Sequence, residues 1–287
     1  MKIDKINRQS IAISGFTSVL ETIHTPPQAL FIAGALPSNR PPCVAIIGSR
    51  KPTQYGIEVT HRLAFELAKQ GVVVISGLAM GIDAVAHKAA LEAGGVTVAV
   101  LANGLPRIYP ASHGGLAKDI IKKGGALLTE KEPGAEARHY DFLKRNRLVS
   151  GLADAIIVTE ATEKSGTLST VGHALDQNKE VFAVPGPITS LLSAGPNRLL
   201  QQGARVALEA QDILNIIAPH LKTRQAQLPL GDTPLEARII ALIQKGNTTS
   251  AALIDTIEYD AAEVLQALTV MELKGLLFNK AGMLILN

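Results

Sequence analysis

Short apolar runs alternate with segments of helical period between residue 43 and about residue 217. Buried parallel strands read as nearly continuous apolar stretches, and the helices that cover them show one apolar face. The alternation therefore predicts an α/β fold with a doubly wound, mainly parallel, Rossmann-like sheet. Strands are predicted at residues 44–47, 72–75, 96–101, 126–129, 155–159, 181–184 and 205–207, and helices at residues 57–70, 82–93, 115–123, 167–178 and 197–202. An earlier run, 30–33, is interpreted as an edge strand.

The C-terminal part has a different pattern. A polar connector leads into three helical segments at residues 234–245, 250–257 and 261–274, followed by short strands at 276–278 and 283–286. Three helices and a hairpin in this order predict a small C-terminal winged helix-turn-helix domain. We therefore expect a short N-terminal extension at 1–28, a Rossmann-like domain at 29–218, a linker at 219–231 and a winged-helix domain at 232–287.

Composition and charge narrow the function. The chain has 287 residues, is 47% hydrophobic and carries a net charge of +3. It has no apolar run near the roughly 20 residues of a membrane helix, so we expect no membrane association and a cytoplasmic location. Residues 228–287 hold four Lys/Arg and seven Asp/Glu, a charge of −3, which leaves +6 for residues 1–227. A polyanionic ligand is therefore expected on the large domain.

Gly/Ser turns and cations follow the predicted strands. In open α/β sheets ligands bind beyond the carboxyl ends of the strands, where glycine lets backbone amides approach an anion and a helix N-terminus favours phosphate. A basic cluster at 144–147 adds arginine forks that suit phosphate oxygens. The sequence thus predicts a groove that binds a nucleic-acid backbone, with candidate residues Gly48, Ser49, Arg50, Ser76, Gly77, Lys144, Arg145, Asn146, Arg147, Ser165, Gly166 and Thr167.

Catalytic motifs are absent from the sequence. It contains no P-loop, G-x-G-x-x-G, H-E-x-x-H or G-x-S-x-G pattern, so we expect no catalytic residue, metal or cofactor. Asp83 and His87, four residues apart, are interpreted as an acid favoured at a helix N-terminus and a histidine that bridges to a neighbouring loop. Glu130 and Glu160 are interpreted as partners of nearby arginines.

Several blocks occur together in one order: residues 46–50, 76–83, 145–152, 165–167 and 195–197. From about residue 26 to 214 the chain resembles the DprA/Smf family. The resemblance implies a mediator, not an enzyme, that binds single-stranded DNA without sequence preference. It would protect incoming DNA in natural transformation, load the RecA recombinase and form a homodimer through the Rossmann domain.

The resemblance also implies roles for particular residues. Arg50 takes the place of the family's DNA-contacting arginine, and Lys144 and Arg145 take the place of its basic segment. The turns at 76–77 and 165–167 fall where the family binds phosphate. Many members carry an N-terminal sterile-alpha-motif-like domain, which we do not expect here because the chain begins close to the Rossmann block.

Base stacking is expected to contribute little. Aromatic residues make up 3% of the chain and tryptophan is absent, which leaves Tyr55, Tyr140 and Phe142 as the nearest candidates. Phosphate contacts should then dominate affinity and make it depend steeply on salt.

Two other functions stay open. A LOG-like nucleoside monophosphate phosphoribohydrolase uses a P-G-G-x-G-T-x-x-E turn, of which this chain keeps Gly166 and Thr167 but has Thr170 in place of the glutamate. Without that carboxylate the acid-base chemistry lacks its main group. A nucleotide-sensing DNA-binding regulator would read duplex DNA through the winged helix, and the acidic C-terminal part argues against it.

Overall fold

The apolar runs of the first 219 residues form one sheet in the computed structural model, which describes residues 7–9, 15–219, 233–244, 246, 248–257, 259–280 and 282–286. The chain divides into two compact units, residues 1–221 and 222–287. Of the predicted linker, only Pro219 is among the described residues. In the predicted N-terminal extension, residues 1–6 and 10–14 lie outside them.

The first unit alternates strands and helices. Its strands are β1 (Asn7–Gln9), β2 (Leu30–Gly34), β3 (Cys43–Ile47), β4 (Val73–Ser76), β5 (Thr97–Val100), β6 (Ala126–Thr129), β7 (Ala155–Val158), β8 (Glu180–Ala183) and β9 (Arg205–Val206). Its helices are α1 (Gln54–Lys69), α2 (Ile82–Glu92), α3 (Gly114–Lys122), α4 (His139–Leu152), α5 (Thr167–Asp176), α6 (Ala194–Gln201) and α7 (Ala210–Ile217).

The described strands lie in the order β1-β2-β6-β5-β4-β3-β7-β8-β9. β1 pairs with β2 and β2 with β6 in antiparallel fashion, and the other neighbouring pairs are parallel. The α/β class with a mainly parallel Rossmann-like sheet is therefore confirmed. The predicted edge strand at 30–33 is β2, which lies second in the sheet because β1 pairs along its outer side.

Both faces of the sheet are buried, as the continuous apolar runs predict. In β3 all five residues are buried. Cys43, Ala45 and Ile47 pack on one side with α4 and α5, while Val44 and Ile46 pack on the other side with α1, α2 and α7. The segment before β2 also joins this core, because Phe16 and Leu20 are fully buried against it.

Helices α4 and α7 are absent from the sequence prediction. In α4 the polar residues Asp141, Arg145, Arg147 and Ser150 are buried among apolar ones. Polar residues therefore occur on the inward side of the helix as well as the outward side, which removes the amphipathic signal that identifies a surface helix. This matters because α4 carries the basic cluster.

The parallel order creates a switch point beside β3. The chain runs from β3 through β4 and β5 to β6 on one side, and then returns to place β7 on the other side of β3. At such a point the connections leave toward opposite faces of the sheet, and a crevice opens beyond the carboxyl ends of the strands.

The second unit contains α8 (Pro234–Gln244), α9 (Ser250–Thr256) and α10 (Ala261–Leu273), followed by β10 (Leu277–Lys280) and β11 (Met283–Leu286). The two strands form an antiparallel hairpin in which Phe278 pairs with Ile285. Apolar residues of all five elements form its core. Lys245, the predicted end of α8, lies outside the described residues.

Across the described residues of both units, no helix combines the length and apolar character needed to span a membrane.

Candidate nucleic-acid interface

A groove of about 860 Å³ opens at the switch point, beyond the carboxyl ends of β3, β4 and β7. Three loops line it, at residues 48–50, 77–79 and 164–167, together with one side of α4. Of the predicted residues, the groove brings together Gly48, Ser49, Arg50, Gly77, Arg145, Asn146, Ser165, Gly166 and Thr167. It also contains residues that the sequence analysis did not select, among them Asp83, Tyr109, His139 and Lys164.

The 48–50 loop is held by Glu160. The amide of Ser49 donates to the Glu160 carbonyl at 2.7 Å, and the Glu160 carboxylate accepts from the Thr53 amide at 2.8 Å and the Thr53 hydroxyl at 2.5 Å. A Cβ on Gly48 would lie 2.8 Å from the Glu160 carbonyl oxygen, so this approach requires glycine. The interpretation of Glu160 as an arginine partner is wrong, because its carboxylate binds Thr53 at the start of α1 instead.

The 164–167 loop is connected directly to the 48–50 loop. Ser165 accepts from the Thr167 amide at 3.1 Å and donates to the Thr167 hydroxyl at 2.9 Å. Thr167 in turn donates to the Gly48 carbonyl at 3.2 Å. Lys164 is exposed and lines the groove beside them. It directly precedes the predicted Ser-Gly-Thr turn, and this adjacency is the signal in the sequence that points to it.

The basic cluster at residues 144–147 does not form one continuous charged surface. Consecutive helical residues point about 100° apart, so four neighbours on α4 face different surroundings. Lys144 is exposed but does not line the groove. Asn146 is half-buried and lines it. Arg145 and Arg147 are each 7% exposed.

The two buried arginines bind within the protein, which corrects the interpretation of the cluster as a cationic surface. Arg147 pairs with Glu130 at 2.5 Å, as the interpretation of Glu130 anticipated. Arg145 donates to the Gly77 carbonyl at 2.8 Å and to the Val100 carbonyl. Burying an unpaired charge is costly, so each guanidinium is committed to these partners.

Ser76 does not line the groove. Its side chain is fully buried and donates to the Ile46 carbonyl at 2.7 Å, a bond between neighbouring strands. The prediction of Ser76 as a phosphate ligand is therefore corrected: its hydroxyl stabilises the sheet, and the turn contributes Gly77 to the groove instead.

An aromatic pair lies in the groove. The rings of Tyr109 and Phe142 are 5.5 Å apart at an angle of 59°, and the Arg50 guanidinium lies 5.5 Å from the Phe142 ring centre. Tyr109 is 52% exposed. The other stacking candidates lie outside the groove-lining residues, since Tyr55 donates to the Pro185 carbonyl at 2.7 Å and Tyr140 extends into solvent.

Asp83 and His87 do not form an acid-base pair. Asp83 accepts from the Gly77 and Ala79 amides at 3.0 and 3.3 Å. His87 is fully buried, and its Nδ1 lies 2.6 Å from the Thr97 hydroxyl. Thr97 uses its own proton on the Val74 carbonyl, so Nδ1 donates to Thr97 and Nε2 carries the lone pair. Burial lowers the pKa of His87 to about 3, and the electrostatic interactions with His113 and Arg145 act in the same direction.

Comparison with known proteins assigns this arrangement to a family. The family model for DNA recombination-mediator protein A matches residues 10–218, which include every residue of the groove. The chain belongs to the DNA recombination-mediator protein A family. This confirms the resemblance to DprA/Smf proteins.

Relatives with known sequences carry both family names. The chain is 45% identical over 188 residues to Protein Smf of Escherichia coli, covering 66% of this chain and 50% of the relative. It is 40% identical over 209 residues to DNA processing protein DprA of Bacillus subtilis, covering 72% of this chain and 70% of the relative. The chain thus spans half the length of the E. coli relative.

Solved structures of the family have the same fold. DprA from Streptococcus pneumoniae is 34% identical with a TM-score of 0.67, over 75% of this chain and 76% of that one. DNA processing protein A from Helicobacter pylori is 32% identical with a TM-score of 0.65, over 75% and 97% of the two chains. The H. pylori structure was described for its mode of binding single-stranded DNA.

The buried neutral His87 should make this family member sensitive to acid. Between its ordinary pKa of 6.5 and about 3, the unfolded chain binds a proton that the folded chain excludes, so stability falls as pH falls through this window. We expect the His87→Gln variant to lose less stability on acidification, by up to about 1.4 kcal/mol per pH unit. Urea unfolding at several pH values between 7 and 4 measures this difference.

The surface variant His24→Gln serves as the control and should follow the wild-type profile. Parallel profiles for wild type and His87→Gln would show that His87 is not the responsible group.

Proposed function

We propose that this protein binds single-stranded DNA, without sequence preference, along the groove at the switch point of its sheet. The observation that carries the proposal is the convergence of exposed cations, hydroxyl and amide donors and an aromatic pair in one open groove of a recombination-mediator family member. The H. pylori relative, described for its single-stranded DNA binding, supports the same ligand.

The donors in the groove match a phosphate backbone. Arg50 and Lys164 are exposed cations on two adjoining loops. Thr167 begins α5, so the positive end of this helix dipole favours an anion nearby. Phosphates are identical at every nucleotide, so contacts of this kind give affinity without sequence preference.

The Tyr109–Phe142 pair offers a stacking surface beside those cations. Aromatic rings stack on any base, at about 1–3 kcal/mol per base, and an arginine next to the ring adds a cation–π contribution. Arg50 takes this position over Phe142. We therefore propose Arg50 as the residue that joins phosphate binding to base stacking.

Fluorescence anisotropy with labelled oligothymidine tests the proposal. The Arg50→Ala variant should bind at least about tenfold more weakly, because a charge-assisted contact is lost. The slope of log K against log salt should also become shallower by about 0.7, the contribution of one phosphate contact on a single strand. Lys144→Ala should have a smaller effect, because Lys144 does not line the groove.

Lys118→Ala, an exposed lysine on α3, controls for the general loss of a positive charge. Tight binding of a specific duplex, or no binding of oligothymidine by wild type, would contradict the proposal and favour the regulator or enzyme alternatives.

We further propose that the bound strand is protected and handed to RecA during natural transformation and recombination. The basis is membership of a family defined as recombination mediators. A protein that holds the backbone in an open groove leaves the strand accessible to a second protein, whereas an enclosed channel would not.

RecA ATPase on single strands coated with a single-strand-binding protein tests this step. Wild type should shorten the lag before ATP hydrolysis, Arg50→Ala should lose the effect and Lys118→Ala should retain it. An unchanged lag with wild type that binds oligothymidine normally would refute RecA loading while leaving DNA binding intact.

We also propose that the first unit forms a homodimer through the β9 edge of the sheet. β9 is the last strand in the order, and an edge strand offers unpaired backbone groups to another chain. Val206 and Leu208 are 46% and 58% exposed there, beside a pocket of about 330 Å³ lined also by Val59 and Pro185. Exposed apolar surface around a pocket is typical of an interface.

The Leu208→Glu variant should be monomeric at concentrations where wild type is dimeric, because it places a charge in the apolar contact. Size-exclusion chromatography with light scattering should give 30.2 kDa for the variant and twice that mass for wild type. Leu175→Glu is the matched control, since Leu175 is 60% exposed on α5, and it should stay dimeric. A monomeric wild type would refute this interface.

We propose the winged helix-turn-helix as the fold of the second unit, on the basis of its three helices and hairpin. Its α10 presents Glu263 and Glu272 to solvent, which does not suit insertion into DNA. An auxiliary or protein-contacting role therefore fits it better than DNA recognition. The LOG-like enzyme is disfavoured as well, because Thr170 provides no carboxylate in the groove.

A further inference from the structure

A carboxylate in the proposed DNA groove is unexpected. Asp83 lines the groove, although the DNA proposed to bind there carries a negative charge at every phosphate. It is 7% exposed, and burial raises its pKa, while Arg145 and the two amides that it accepts from lower it. Burying a carboxylate costs free energy unless hydrogen bonds and a charged partner compensate for the lost hydration.

The hydrogen bonds that compensate Asp83 come from the backbone of the 77–79 loop. The Gly77 and Ala79 amides both donate to one oxygen of Asp83, at 3.0 and 3.3 Å. From the other side, Arg145 donates to the Gly77 carbonyl at 2.8 Å. A single peptide segment is thus held by a buried anion through its amides and by a buried cation through its carbonyl.

The loop needs this support because its backbone is strained. Leu78 has φ of 58°, a left-handed conformation that is unfavourable for a leucine. Its side chain is fully buried, and its carbonyl accepts from His113 Nδ1 at 2.9 Å. A conformation of this kind persists when its surroundings determine it, and here the surroundings include both charged residues.

Gly77 packs too closely against Arg145 to carry a side chain. A Cβ at this position would lie 2.3 Å from a guanidinium nitrogen of Arg145. The Arg145 side chain and the loop backbone are therefore in direct contact along the groove wall. A second bond from the same nitrogen of Arg145 to Val100 fixes the guanidinium to β5.

We propose that Asp83 and Arg145 are positioning residues, which hold the 77–79 loop in the shape that binds the strand. This inference rests on the proposed function. It assigns Arg145 a role through the loop rather than a direct phosphate contact, and it gives an acidic residue a favourable effect on the binding of an anion.

Two isosteric or charge-conserving variants separate positioning from charge. Asp83→Asn removes a negative charge from the groove, so electrostatics alone would strengthen oligothymidine binding. We expect instead binding about tenfold weaker, because the neutral amide holds the two loop amides less firmly. Arg145→Lys keeps the charge but loses the planar fork, and we again expect about tenfold weaker binding.

The salt dependence and the loop amides provide readouts that general destabilisation would not change. Both variants should keep the wild-type slope of log K against log salt, whereas Arg50→Ala has a shallower slope. Hydrogen exchange should accelerate in the peptide containing residues 77–79 and stay unchanged in β3 and α1. Glu163→Gln, which neutralises an exposed acid in the loop before α5, is the charge control and should bind as tightly as wild type or more tightly.

Each outcome decides the proposal. Wild-type or tighter binding by Asp83→Asn overturns it, and so does wild-type binding by Arg145→Lys or a salt slope reduced as in Arg50→Ala. If thermal melting shows that Asp83→Asn is unfolded, Arg145→Lys decides alone. If wild type itself fails to bind oligothymidine, the proposed function fails, and hydrogen exchange at residues 77–79 still shows whether the two side chains fix the loop.

Discussion

The parallel pairing of β3 with both β4 and β7 is the constraint on which the site depends. It brings the carboxyl ends of three strands to one edge while their connections leave toward opposite faces, so a groove opens where no single loop could form one. The 48–50, 77–79 and 164–167 loops meet there, although 26 residues or more separate them along the chain. Every proposed DNA contact relies on this arrangement.

Buried polar and charged groups then give the loops their shapes. Glu160 fixes the entry to α1, while Asp83 and Arg145 fix the 77–79 loop from its two sides. Such groups cost desolvation energy, which their hydrogen bonds to backbone offset. The groove can therefore remain open and still present donors in fixed positions, which reduces the ordering that ligand binding would otherwise require.

The basic cluster on α4 shows how one sequence feature separates into several functions. Lys144 faces solvent, Asn146 faces the groove, Arg145 supports a loop and Arg147 pairs with Glu130. The cluster lies on a helix that borders the groove, but two of its three cations are internal. The cations that remain exposed in the groove, Arg50 and Lys164, come from loops.

The sequence alone determined the α/β class, the strands of the parallel sheet and the turns that line the groove, because apolar period and Gly/Ser turns are local properties of the chain. Its ordered motifs also determined the family. Only the tertiary structure decided which cations are buried, that Asp83 lines the groove and that Ser76 does not. These outcomes depend on which side chains from distant segments share one environment. Helix α4 escaped prediction for a related reason, because its Arg145 and Arg147 are buried against partners outside the helix, Gly77 and Glu130.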